Sequence, residues 1–199
     1  MNIFALSKNV EEIAMWQVDK HCIKMPLESA MMLSSAHRYL DGKETIVKSK
    51  TGRNVKKYIL NDERENILYG VSHLNHPCTK WTYETSENYR WHYNLLIAML
   101  KEYTYRYGKN HACEKLLPFL KNLPKNINIG QQTSFVTAMP DECKVPGDSL
   151  TSYRRYYVMN KKHLWSWKGK INSRERPRWM SDMAMDKLHQ TNVELGLIY

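Results

Sequence analysis

The stretch VEEIAMWQVDKHCIKMPLESAMMLSSAHRYL, residues 10–40, decides the fold class. Ile13, Trp16, Ile23, Leu27 and Met31 return at intervals of three, seven and four, the spacing that lines one side of an α-helix. Pro26 lies in the middle of the run. It removes a backbone donor and crowds the preceding turn, so a kink or a division is expected there. The same periodicity recurs downstream. Pro77 opens a helix at its first turn, Thr85 or Ser86 caps a long one carrying Tyr89, Leu95, Leu96, Met99, Leu100 and Tyr103, and Gly108 stops it. Shorter helices are expected over residues 62–71 with a cap at Asn61 or Asp62, over 111–122 with a kink at Pro118, and from a cap at Ser149 or Thr151 through Trp165. Pro177-Arg178-Trp179 opens a final turn or helix. Residues 41–55, with Asp-Gly, Thr-Gly and several lysines, read as an exposed loop with room for a short hairpin, and the proline-bearing stretch up to Gly147 as irregular.

With 199 residues and 42% hydrophobic content the chain can bury one sizeable core. The expectation is therefore a mainly α, single-domain irregular helical bundle over residues 1–199, with at most a short hairpin. The first six residues lack a basic leader, and Lys8, Glu11 and Glu12 interrupt them before signal or membrane-span length, which reads as a cytoplasmic protein with no membrane partner. Cys22, Cys78, Cys113 and Cys143 form no C-x-x-C pair, so reduced thiols are expected. His111 and Cys113 together supply at most two metal ligands, and a buried thiol is the simpler reading.

The net charge of +10 sits mostly in residues 151–180, which hold nine Lys and Arg against Glu175 alone. Tyr153, Tyr156, Tyr157, Trp165, Trp167 and Trp179 are interleaved with these cations. Cations pair with phosphates and aromatic faces stack on bases, so Arg154, Arg155, Lys161, Lys162, Arg176 and Trp179 are candidate nucleic-acid contacts. The competing reading is a solvated basic helix whose aromatics fill the core. His76-Pro77-Cys78-Thr79-Lys80-Trp81 and the following Arg90-Trp91-His92 suggest a polar pocket or groove, adding Lys80, Trp81 and Arg90 to the candidates.

His21, Lys24 and Glu28 fall at i, i+3 and i+7 and share one helix face if Pro26 leaves its phase intact. An imidazole, an ammonium and a carboxylate can do acid–base work, and burying them among Met, Leu and Ile demands pairing or solvent. A surface stripe of helical ion pairs is the alternative. The chain has no phosphate-binding glycine loop, dinucleotide fingerprint, H-E-x-x-H, G-x-S-x-G or zinc-deaminase pattern. No metal and no cofactor is called for.

Three stretches resemble the pyrimidine-dimer DNA glycosylase family, the endonuclease V type of T-even phages, and related phage proteins. They are residues 19–28, with His21 seven positions before Glu28, then His76-Pro77 followed by Trp81, and Arg176-Pro177-Arg178-Trp179. The resemblance implies an all-helical domain that kinks duplex DNA, extrudes a nucleotide and attacks the sugar C1′ with its N-terminal amine. On that mapping Glu28 is the catalytic carboxylate, His21 stands beside it, and the amine belongs to Met1, because Asn2 is too large to favour removal of Met1. An α-amine gives up its proton more readily than a lysine does, which suits it to that attack. The function expected is a DNA glycosylase, with a lyase step, acting on a damaged or modified pyrimidine in duplex DNA. A base-modifying enzyme on the same fold, or a binding protein without chemistry that counteracts a host, are the alternatives.

Overall fold

A computed structural model of the chain describes residues 1–183. Asn9 accepts hydrogen bonds from the amides of Glu11 and Glu12 and so starts helix α1, Val10–Trp16. Helix α2, Asp19–Asp41, follows almost at once. The division therefore falls at Gln17 and Val18, which are extended, and not at Pro26, which lies buried inside α2. Arg106 explains the position of the break. Its guanidinium, fully buried, donates to the carbonyls of Met15 and Gln17, groups that a continuing helix would have used itself.

From α2 the chain forms the antiparallel hairpin β1, Lys43–Lys48, and β2, Asn54–Ile59, with Val47 opposite Val55. Arg38 anchors its base. That side chain donates to the carbonyls of Tyr58, Glu65, Leu68 and Tyr69 and pairs with the Glu65 carboxylate at 2.6 Å. The helix expected over 62–71 shrinks to a single 3-10 turn, Glu63–Asn66, capped by Asp62, because the backbone beyond it is held by Arg38.

Helix α3, Pro77–Glu84, begins as expected at Pro77, and the His76 ring accepts from the Cys78 amide. Thr85 caps α4, Ser86–Tyr107, which stops at Gly108 with φ +66, a left-handed conformation that suits glycine. The kinked helix expected over 111–122 is instead a 3-10 turn, Ala112–Leu116, and one α turn, α5, Leu117–Leu120. Helix α6, Ser149–Asn160, is capped by Asp148 and ends five residues short of Trp165, with a 3-10 turn over Lys162–Leu164 in between. From Arg178 the chain is helical to the last described residue. The acidic and apolar tail beyond residue 183 lies outside the described residues.

Two apolar clusters share α2 and α4. Met25, Met32, Leu95 and Met99 face the N-terminal segment, Trp81, Tyr153 and Tyr157, while Ala30, Leu33, Leu96 and Leu100 face Leu60, Leu116 and Leu120. Each Leu or Met among them contributes about 1.5–3 kcal/mol on burial, which outweighs the donor lost at Pro26. Among the described residues no helix is long and apolar enough to cross a membrane. All four cysteines are buried, and the described residues contain no disulfide.

Candidate active site

Residues 2–7 run buried through one side of the core. The Asn2 side chain accepts from the Phe4 amide and donates to the Ala138 carbonyl, both at 2.9 Å. Phe4 follows with φ +40, a conformation that costs a bulky residue about 1–2 kcal/mol. That turn lays the Phe4 ring on His21, centroids 4.4 Å apart, with Tyr156 stacked on it and Tyr157 edge-on. Met1 is thereby aimed at α2. Its α-amino nitrogen lies 3.3 Å from one oxygen of Glu28, and Lys24 Nζ lies 2.9 Å from the other.

The i, i+3, i+7 face is realised because Pro26 does not interrupt α2. Burial pushes the Glu28 carboxyl up, but the Lys24 hydrogen bond and the Met1 ammonium outweigh it and hold the group below the ordinary carboxylate range. The Met1 side chain is only 4% exposed although the residue as a whole is half-buried. What Met1 offers to solvent is its main-chain end, where the amine sits.

His21 does not stand beside the carboxylate. Seven residues of helix separate it from Glu28, about 10 Å along the axis, and its Nδ1 makes a short hydrogen bond with the Tyr157 hydroxyl. Burial, with Lys161 adding to it, lowers its pKa to about 4, so the ring is neutral near pH 7 and supports Phe4. His76, at the N-cap of α3, is lowered by burial and by the Met1 ammonium, which places it at the edge of the amine site. Burial raises the Cys78 thiol to about 11 and leaves it protonated.

No family model, curated protein or solved structure matches this chain.

The basic stretch separates its charges from its aromatic rings. Tyr153, Tyr157 and Trp167 are buried, and Trp165 and Trp179 are half-buried, whereas Arg155, Lys162, Lys168, Lys170, Arg176 and Arg178 are exposed. Tyr153, Tyr157 and Trp167 therefore serve the core, while Tyr156, Trp165 and Trp179 pack against it with part of each ring exposed. Trp179 packs edge-on against Trp16, and Arg154 lies over both rings while donating to the Leu6 carbonyl. Arg176 holds Ser181 and sits over Trp165, and Lys161 sits over Tyr156. Trp81 is 1% exposed, packed against Trp91 and Phe135, with an edge on the cavity that Lys80 lines. Arg90 is exposed and paired with Glu87. It lies two residues, about 200° of helix, from His92, which bonds Ser29 of α2, and so points away from the Glu28 face. Lys80 is exposed on α3 and lines a cavity of about 650 Å³ with Asn75, Pro77, Tyr39 and Tyr83.

Asn2, Phe4, Tyr157 and His76 complete the site. The sequence carried no local signal for the first two, because their partners lie on α2, on α6 and at Ala138. Among the described residues no three His, Cys, Asp or Glu side chains gather so as to hold a metal ion. What the arrangement offers is an amine at the surface, a carboxylate kept ionised to take its proton, and exposed cations on the stretch that follows α6.

Proposed function

We propose that the protein is a DNA glycosylase with a lyase step, processing a damaged or modified pyrimidine nucleotide by amine chemistry at Met1. The observation that carries this reading is the 3.3 Å pair between the Met1 amine and Glu28. The unprotonated amine attacks C1′ of an extruded nucleotide. The C1′–N bond breaks, and its electron pair leaves with the base, which is protonated by water. The attacking nitrogen passes a proton to Glu28, and the carboxylic acid returns it to the ring oxygen as the sugar opens, leaving an iminium between Met1 and C1′. Glu28 then removes a proton from C2′ and the 3′ phosphate departs with the C3′–O electron pair. Water hydrolyses the imine and restores the amine.

Lys24 fits this sequence because it keeps Glu28 ionised between steps. The exposed cations between Arg155 and Arg178 supply attraction for phosphate, and the resemblance of residues 19–28 and 176–179 points the same way. The test is borohydride reduction in the presence of duplexes carrying pyrimidine lesions or abasic sites. A covalent protein–DNA adduct is expected, falling by roughly a hundredfold or more in Glu28→Gln and disappearing when residues are added before Met1. Absence of an adduct with every such duplex overturns the reading. If nucleoside masses change while strands stay intact, base modification replaces it.

A further inference from the structure

The hairpin of residues 43–59 is a second concentration of charge, separate from residues 151–180. It carries Lys43, Lys48, Lys50, Arg53, Lys56 and Lys57 against Glu44 alone. Glu44 pairs with Lys56 at 2.7 Å. Lys48, Lys50 and Arg53 crowd the tip, where Gly52 turns with φ +77, and have no ion-pair partner among the described residues. The fold makes no use of them. All six cations are exposed, Ile46 is 65% exposed, and the hairpin rests on the body through Arg38, Gly42 and Tyr58. A two-stranded ribbon is marginal on its own, and lysines along both strands oppose pairing with a second copy.

The hairpin is also connected to the amine site. Tyr58 is on the same hairpin face as Ile46, Lys48 and Lys56 and packs edge-on against Tyr39 of α2, which touches Tyr83. Tyr39 and Tyr83 line the cavity with Asn75, Pro77 and Lys80, and His76, between Asn75 and Pro77, senses both the Met1 ammonium and Glu28. Tyr39 is eleven residues beyond Glu28, nearly in phase on the same helix and about 16 Å further along it. At 3.4 Å per base step that is about five nucleotides.

We infer that the hairpin is a backbone clamp for nucleic acid, gripping phosphates on one side of the Met1–Glu28 pair, beyond the roughly five nucleotides that reach Tyr39. This rests on the nucleic-acid reading above but not on its chemistry. The ribbon's charge complements a phosphate backbone, and the trough of Asn75, Lys80, Tyr39 and Tyr83 leads the strand to it.

The experiment compares the wild type with the triple variant K48E/K50E/R53E, using duplexes whose target is flanked fully on both sides or cut short on one side. Circular dichroism and thermal midpoint report folding, which the variant should retain because these side chains are exposed at the tip and hold no ion pair. The expected result is a tenfold or greater loss of affinity in the variant and a salt slope lower by about two to three, one for each phosphate that is no longer neutralised. Shortening one flank should weaken the wild type and leave the variant unchanged. Borohydride trapping at saturating DNA should survive in the variant, so loss of trapping in both proteins with binding intact removes the glycosylase reading and leaves the clamp. Equal affinity and slope in wild type and variant overturn the clamp. So does a variant defect seen only on phosphatidylserine–phosphatidylcholine vesicles, or a wild type that binds no DNA.

Discussion

Asn2 holds the Phe4 amide and the Ala138 carbonyl, and the direction in which Met1 leaves that anchor is what aims its amine at Glu28. Asn2→Ala should lower stability by about 1–2 kcal/mol, read as a shift in denaturant midpoint, and should slow adduct formation more than it weakens DNA binding. Lys24 acts from the other side of the carboxylate. Glu28 is depressed, so it stays ionised until the pH falls below the usual carboxylate range. Lys24→Met removes one of the causes of that depression. The part of the acid limb of the adduct-forming rate that Glu28 sets should therefore move to higher pH, with little change above neutrality, and if that part stays unmoved in the pH–rate profile, Lys24 is separate from the chemistry. The shared face of His21, Lys24 and Glu28 was legible because helical spacing alone determines it. The anchor was not, since Asn2 meets a carbonyl 136 positions away.

The break between α1 and α2 and the strap over residues 166–174 form one device. Asp19 accepts from the Ser166 hydroxyl at 2.6 Å and from the Lys168 and Gly169 amides, and meets Arg106 at 3.1 Å. Arg106 in turn pairs with Glu102, which also holds Arg174. Burial pushes the Asp19 carboxyl up, but these bonds hold it below its ordinary range, so its contribution is present above that range and lost on acidification. Asp19→Ala should cost about 2–4 kcal/mol and release the strap. Proteolysis or hydrogen exchange confined to residues 166–174 would register that release. Local reading located α3 and α4 well because proline, threonine and glycine mark their ends. It placed the first division at Pro26 because a proline's local penalty is visible in sequence, whereas the long-range demand of Arg106 for the Met15 and Gln17 carbonyls is not. The helices expected over 62–71 and 111–122 are shortened as well. Arg38 in the one case, and in the other Pro118, which has no amide to continue the turn before it, limit the backbone to short turns.

For the whole molecule, the sequence showed a mainly α architecture and a basic surface, but not which rings face inward. Charge and aromaticity alternate in residues 151–180, and only packing decides that Tyr153, Tyr157 and Trp167 go to the core and most of the cations to solvent. The buried histidines add a pH response. Burial lowers His21 and His37 to about 4 and His92 to about 3 from an ordinary 6.5. The unfolded chain binds these protons first as the pH falls, so stability is full above 6.5 and declines toward 4. The slope reaches about 4 kcal/mol per pH unit if all three contribute. Urea midpoints taken across that interval should fall steadily, and a flat profile would mean that the histidines are solvated.

On this account a single nitrogen, the α-amine of Met1, forms the covalent bond to DNA. Peptide mass mapping of the borohydride-reduced complex locates that nitrogen directly. The account predicts the sugar remnant on the α-nitrogen of the Met1 peptide, and a remnant on Lys24, Lys161 or any other ε-amine would contradict it.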